Sequence, residues 1–192
     1  MTRLSVNLNK VALLRNTRAL GIPDVIKAAR IALAAGAHGI TVHPRPDGRH
    51  IRIDDVRNLS ALLQSHPNIE FNIEGNPFHG LLEIVESIRP TQCTLVPDEP
   101  DAVTSDHGWN LDKDASRLSE VIRAIKAAGV RVSLFMDPQP AAMAAARAIG
   151  ADRVELYTEP FARAAGTAGM QASLDLYAAS ARAAIAAGLG VN

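Results

Sequence analysis

Ile69-Glu70-Phe71-Asn72-Ile73-Glu74 alternates apolar and polar side chains without a break, the period-two pattern of a strand whose two faces meet different surroundings. Residues 39–44, GITVHP, repeat it: Ile40 and Val42 oppose Thr41, His43 and, one position on, Arg45. In residues 4–9, LSVNLN, Leu4, Val6 and Leu8 oppose Ser5, Asn7 and Asn9. A parallel strand covered by helices on both faces is apolar throughout, whereas a strand with one polar face needs an enclosed polar space. A closed barrel provides that space in its lumen. The alternation therefore favours a barrel over an open doubly wound sheet.

Four further segments carry strand patterns: QCTLVP at 92–97, RVSLFM at 131–136, RVELYT at 153–158 and GLGVN at 188–192. Helical stretches separate them. Pro23 suits a first helical turn and precedes the stripe Val25, Ile26, Ala29, Ala32, Leu33. Val56, Leu59, Leu62 and Leu63 mark the next helix, and Asn76-Pro77 reads as a cap ahead of Phe78, Leu81, Leu82, Val85 and Ile88. Leu118, Val121, Ile122 and Ile125 mark another, followed by alanine-rich runs at 141–149 and 172–187. The junctions AAGAHGITV, AAGVRVSL, AIGADRVEL and AAGLGVN each pass from a helix end through glycine into a strand. One βα unit is thus used repeatedly, and no linker or shift in composition divides residues 1–192. The expected fold is α/β: a (β/α)8 TIM barrel in a single domain, lacking strand 8 and its helix, because eight strands close this fold and seven are read here.

Composition narrows the functional classes. Twenty Lys and Arg balance twenty Asp and Glu, so no overall field favours nucleic acid or an anionic membrane. The single cysteine, Cys93, excludes an internal disulfide and a cysteine-based zinc site. No stretch approaches the ~18 apolar residues of a membrane span, and the N-terminus enters a strand pattern directly, so a cytoplasmic location is expected. There is no glycine-rich nucleotide fingerprint or P-loop. Lys10, Lys27, Lys113 and Lys126 all fall outside the strands, which argues against a Schiff-base aldolase.

Catalytic groups of such barrels sit at the C-terminal ends of strands and in the loops that follow. Those positions are read as Asn7, Asn9, Lys10, His43, Arg45, Glu70, Glu74, Glu155, Tyr157 and Asn192. Cations gather beyond the first two strands: Arg15 and Arg18, then Arg49, His50 and Arg52. Arginines at a barrel mouth suit an anionic, phosphorylated substrate. His43 and Glu70, on adjacent strands, are candidates for proton transfer; the alternative is a buried hydrogen-bonded pair that holds the lumen together. Glu74, Glu155 and Tyr157 read individually as lumen structure. His43, His50 and Glu70 show no recognisable metal-ligand spacing. Trp109 reads as a packing anchor or, less simply, a lid aromatic.

Taken in order, VNLNKVALLRNTR, GITVHPRPDGRHI, NIEFNIEG, TLVPDEPDAVTS, VSLFMDP and GLGVN resemble the pyridoxine 5′-phosphate synthase family of vitamin B6 biosynthesis over essentially the whole chain. The resemblance implies condensation of 1-deoxy-D-xylulose 5-phosphate with 3-amino-2-oxopropyl phosphate to pyridoxine 5′-phosphate, phosphate and water, with no metal or other cofactor. It implies that His43 and Glu70 accept protons. Asn7 and Arg18 would contact the aminoketone phosphate, and Asn9, Lys10, Arg45, His50 and Thr104 the deoxyxylulose phosphate. Glu155 matches a position that the family keeps acidic. The family's assembly, a homo-octamer, is expected with small-molecule phosphates as the partners and no nucleic acid or membrane.

Two departures from the family pattern stand out. Asn9-Lys10 replaces Asp-His after the first strand. The family's proton-donating histidine follows the Val-Asn of the seventh strand, here Val191-Asn192, and a glycine-rich phosphate site follows strand 8. A barrel ending at Asn192 would lack both and is expected to form little or no product; Ala-Gly-His after Asn192 would supply the missing acid. Two other classes fit the placement of charges: a metal-dependent phosphosugar epimerase or isomerase, which a chelator would inhibit, and a non-catalytic barrel that binds phosphorylated ligands without turnover.

Overall fold

The computed structural model describes residues 2–100, 102 and 104–192, in two compact units, 1–93 and 94–192. The first unit contains β1 (Ser5–Asn7), α1 (Asn9–Asn16), α2 (Val25–Ala34), β2 (Gly39–Val42), α3 (Ile53–Leu63), β3 (Glu70–Gly75) and α4 (Leu82–Ile88). Strand β4 (Gln92–Leu95) carries the chain from one unit to the next. The second contains α5 (Leu111–Ala127), β5 (Arg131–Met136), α6 (Met143–Ala148), β6 (Arg153–Leu156), α7 (Glu159–Ala164), α8 (Met170–Ala186) and β7 (Gly190–Val191).

Within the first unit β1 pairs with β2 and β2 with β3; within the second β5 pairs with β6 and β6 with β7. Each pairing is parallel and joins strands consecutive in the chain. A doubly wound sheet reverses its strand order at a switch point, and a barrel does not. This is the connectivity of a (β/α) barrel, with seven strands among the described residues.

The two faces separate as the alternation requires. In the register, Val6 lies beside Ile40 and Ile40 beside Phe71, while Asn7 lies beside Thr41 and Thr41 beside Asn72. Ile40, Val42 and Ile73 are fully buried. The polar face is tied across the strands: Ser5 Oγ and Thr41 Oγ1 are 2.8 Å apart, Asn72 Nδ2 donates to Thr41 Oγ1 at 3.4 Å, and Gln92 Nε2 donates to Asn72 Oδ1 at 3.3 Å. Thr41, Asn72 and Gln92 are buried and satisfy one another, with the exposed Ser5 joining from β1, which is what makes a polar interior tolerable. In the second unit Asn192 Nδ2 donates to the buried Ser133 Oγ at 3.2 Å.

The repeated glycine junction holds. Gly36 (φ 92) and Gly150 (φ 101) follow α2 and α6 in the left-handed conformation, as Gly129 and Gly188 do after α5 and α8. A β-carbon there would be strained, and glycine lets the helix stop and the strand begin within two or three residues.

Several local expectations need correction. Strand β1 ends at Asn7 instead of Asn9, and Arg15, read as lying beyond the first strand, falls in helix α1, which begins at Asn9. Helix α2 starts at Val25, with Asp24 rather than Pro23 as its signal, because the Asp24 carboxylate accepts the Lys27 N–H at 2.8 Å. Asn76 caps as expected, accepting the Phe78 N–H at 2.9 Å. The helix does not continue from there: Gly80, at φ 84, breaks it, α4 begins at Leu82, and Phe78 is left exposed rather than in the apolar stripe. Trp109 is a packing anchor. It is buried, its indole N–H donates to Leu95 O at 2.9 Å, and the Arg117 guanidinium lies 5.6 Å from its ring centre.

Candidate active site

Three of the residues singled out from sequence meet at the end of β1. The first turn of a helix leaves backbone N–H groups without intrahelical acceptors, and α1 begins where Asn7 Oδ1 accepts the Asn9 N–H at 2.8 Å. Asn9 Oδ1 in turn accepts the His43 N–H at 2.8 Å. The carbonyl of Asn9 is thus committed to holding the backbone of His43. Lys10 is exposed in the first turn of α1, where its charge adds to the positive end of the helix dipole instead of opposing it.

His43 is 7 % exposed. Burial, reinforced by the positive charges of Arg45, His50 and Arg49, holds its pKa down to about 3, with Asp47 opposing. The imidazole is therefore neutral at any working pH. Its ring lies edge-on to that of His50, 6.0 Å between centres. His50 is also lowered, mainly by burial and then by Arg45. Arg45 is buried. A concentrated positive field thus surrounds a neutral base.

Glu70 is placed differently from its sequence reading. It is the first residue of β3, level with Gly39 and Ser5, not at the strand's C-terminal end. The register pairs Val42 with Ile73, so the next position would set His43 beside Glu74. At about 3.3 Å per residue, Glu70 lies about 13 Å further down the strand direction, beyond the reach of a direct hydrogen bond between the two side chains. Arg15 is likewise no phosphate-facing cation. It lies in α1 and is engaged bidentately by the buried Asp55, with Nη2 to Oδ2 at 2.9 Å. Arg18 is exposed beyond the end of α1. Among the described residues no group of three His, Cys, Asp or Glu side chains is arranged to hold a metal ion.

In the second unit Thr104, Ser105, Phe135, Glu155, Tyr157 and Glu159 line a cleft of about 380 Å³. Ser105 Oγ donates to Asp98 at 2.7 Å, and the Tyr157 hydroxyl donates to Glu159. Phe135 comes from the polar parity of β5 and its ring is tilted against that of Tyr157, 5.6 Å between centres; being apolar, it carries no sequence signal of a functional strand end. Burial raises Glu155 to about 7, against a stabilising hydrogen bond with Thr94.

The sign of that shift has a consequence for stability. Between the ordinary carboxyl value of 4.5 and about 7 the native state keeps a proton that the unfolded chain releases. This contribution is complete below about pH 4.5 and is lost as pH rises to 7. Glu155→Gln should remove that slope and be the more stable protein above pH 7, by on the order of 3 kcal/mol at most. Urea denaturation at pH 5 and pH 8 checks this, and a variant no more stable than its parent at pH 8 contradicts it.

Comparison with known proteins gives the context. The family model described as "Pyridoxal phosphate biosynthesis protein PdxJ" matches residues 4–192. The chain belongs to the PdxJ family. It is 61 % identical to the pyridoxine 5′-phosphate synthase of Albidiferax ferrireducens, over 100 % of this chain and 78 % of that protein. It is 55 % identical to the pyridoxine 5′-phosphate synthase of Xanthomonas oryzae pv. oryzae, over 100 % of this chain and 77 % of that one. Among solved structures, the HMG-CoA lyase of Brucella melitensis is similar at TM-score 0.61 and 16 % identity, over 98 % of this chain and 79 % of that one. The phosphoribosyl anthranilate isomerase of Thermus thermophilus is similar at TM-score 0.56 and 18 % identity, over 99 % and 74 %. These distant likenesses speak to the fold alone.

Proposed function

We propose that the chain carries the activity for which its relatives are named, synthesis of pyridoxine 5′-phosphate, by acid and base catalysis on two phosphorylated substrates. The carrying observation is a neutral, buried His43 ringed by Arg45, Arg49 and His50. Burial first, and then the positive charges of Arg45 and Arg49, suppress protonation of His43; an arriving phosphate dianion neutralises those charges and raises the basicity of the imidazole. The base thus becomes competent as the substrate binds, which suits a condensation with repeated proton transfers. In this reading Asn9, Lys10, Arg45 and His50 take the deoxyxylulose phosphate, and Asn7 and Arg18 the aminoketone phosphate. Lys10, in place of the histidine of other members, adds charge at the helix end that already favours anions. Glu70 serves as a second base, acting at a different level of the strands from His43, on substrate rather than through it. Thr104 keeps the contact to the deoxyxylulose phosphate that the family resemblance implies.

The same reading includes a cytoplasmic location and a homo-octamer. No helix among the described residues is long and apolar enough to cross a membrane. Leu14, Leu20, Ile22 and Ile31 of the α1–α2 region are each at least 60 % exposed, an apolar surface that subunit contacts would cover.

The deciding experiment supplies both substrates to the chain extended to the length of its relatives and follows pyridoxine 5′-phosphate, with and without a chelator. Product formation indifferent to the chelator is expected. Loss of product on chelation would favour a metal-dependent enzyme, and binding of both substrates without product a non-catalytic barrel.

A further inference from the structure

The segment between β2 and α3, which carries Arg45, Arg49 and His50, has no regular secondary structure of its own. Within it, Asp47 accepts the Arg49 N–H at 3.1 Å and Arg49 Nε at 2.6 Å, and helices α1 and α3 supply the other ties. At the end of α1, Asn16 Nδ2 lies 2.8 Å from His50 O, 3.0 Å from Arg49 O and 3.3 Å from Gly48 O. Arg15 Nη2 donates to the same His50 carbonyl at 3.2 Å while its guanidinium is gripped by Asp55. Asp55 Oδ2 also accepts the Arg52 N–H at 2.8 Å, tying α3 to the other end of the segment. The ring of His50 is held as well, since its Nδ1 accepts the Ile51 N–H at 2.9 Å. An accepting Nδ1 carries no proton, so a neutral ring has its hydrogen on Nε2.

We propose that Arg15, Asn16 and Asp55 form a clamp that fixes the orientation and tautomer of His50, so that Nε2–H is presented as a ready donor to a phosphate oxygen. They are positioning residues that act through His50. The proposal rests on the reading above in which His50 contacts the deoxyxylulose phosphate. Its physical basis is preorganisation: a segment without secondary structure must otherwise be ordered when the ligand binds, and that cost is subtracted from affinity. Arg15 and Asn16 are spent on this task and not on ligand, although the sequence made Arg15 look like a phosphate-binding cation.

The test combines histidine side-chain ¹⁵N NMR with calorimetric titration of each substrate on this chain. In the parent, His50 should show a protonated Nε2 and an unprotonated Nδ1. Asn16→Ala and Asp55→Asn should give a tautomer mixture and weaken deoxyxylulose 5-phosphate at least tenfold, with 3-amino-2-oxopropyl phosphate changed by less than twofold. Arg15→Lys, which keeps a charge but loses the bidentate grip, should fall between. Asn16→Ser retains a short donor and replaces Asn16→Ala if that variant does not fold. Unchanged His50 signals in the variants would overturn the clamp, as would equal weakening of both substrates. A shifted tautomer with unchanged affinity for both would leave the clamp standing and remove His50 from the phosphate site.

Discussion

In the chain extended to the length of its relatives, His43→Gln is expected to lower the rate of pyridoxine 5′-phosphate formation by about 10²- to 10⁴-fold, the usual contribution of a positioned general base. Glutamine keeps a polar side chain of similar reach and leaves the backbone N–H that Asn9 accepts, so folding should survive. The same substitution should alter stability in a defined window. Between about 3, where burial holds the native imidazole, and its ordinary 6.5, the unfolded chain binds a proton that the native state refuses. The stability contributed by the neutral, buried ring is therefore complete above about pH 6.5 and is lost as pH falls towards 3. At pH 5 the loss is about 2 kcal/mol in the parent and absent from this source in the variant. Denaturant titrations at pH 5 and pH 7.5 read the difference; equal pH slopes for the two proteins would contradict a buried neutral His43, and undiminished turnover would remove it from catalysis.

Gly108→Ala should be among the most destabilising single changes in the second unit, by about 3 kcal/mol or more. A β-carbon at Gly108 would sit 2.2 Å from Asp137 N and 2.5 Å from Met136 C, both main-chain atoms at the end of β5 that cannot rotate away. The approach is used in the native protein: the Gly108 N–H donates to Asp137 Oδ1 at 3.0 Å, and the Trp109 N–H to Phe135 O at 3.0 Å. Relieving the clash means lifting the segment that brings Thr104 and Ser105 to the cleft and Trp109 into the core. Trp109 is the sole tryptophan, so its fluorescence reports directly. A red-shifted emission with a lowered denaturation midpoint is expected. An unchanged spectrum and midpoint would show that the main chain at Met136 and Asp137 gives way cheaply.

Glu70 and Arg15 show how far a strand pattern reaches. The period-two alternation placed Glu70 on the polar face correctly, because side-chain parity is a local property of an extended chain. It could not place Glu70 at the start of β3 instead of its end, because the level of a residue in a sheet depends on register with the neighbouring strand, and register is a non-local pairing. Arg15 was legible as a cation near the end of β1. Its engagement by Asp55, forty residues on, required α1 and α3 to be packed before it could be seen.

The sequence alone determined the strand and helix alternation, the polar face, the glycine junctions and membership of the PdxJ family, all of which rest on local pattern or on residues kept in order along the chain. Tertiary structure decided the length of β1, the start of α2, the exposure of Phe78, the separation of His43 from Glu70 and the use of Arg15 and Asn16 as a clamp. The physical reason is the same in each case. Conformational preference and parity act over a few residues, whereas burial, register and the choice of hydrogen-bond partner are settled only when distant segments meet.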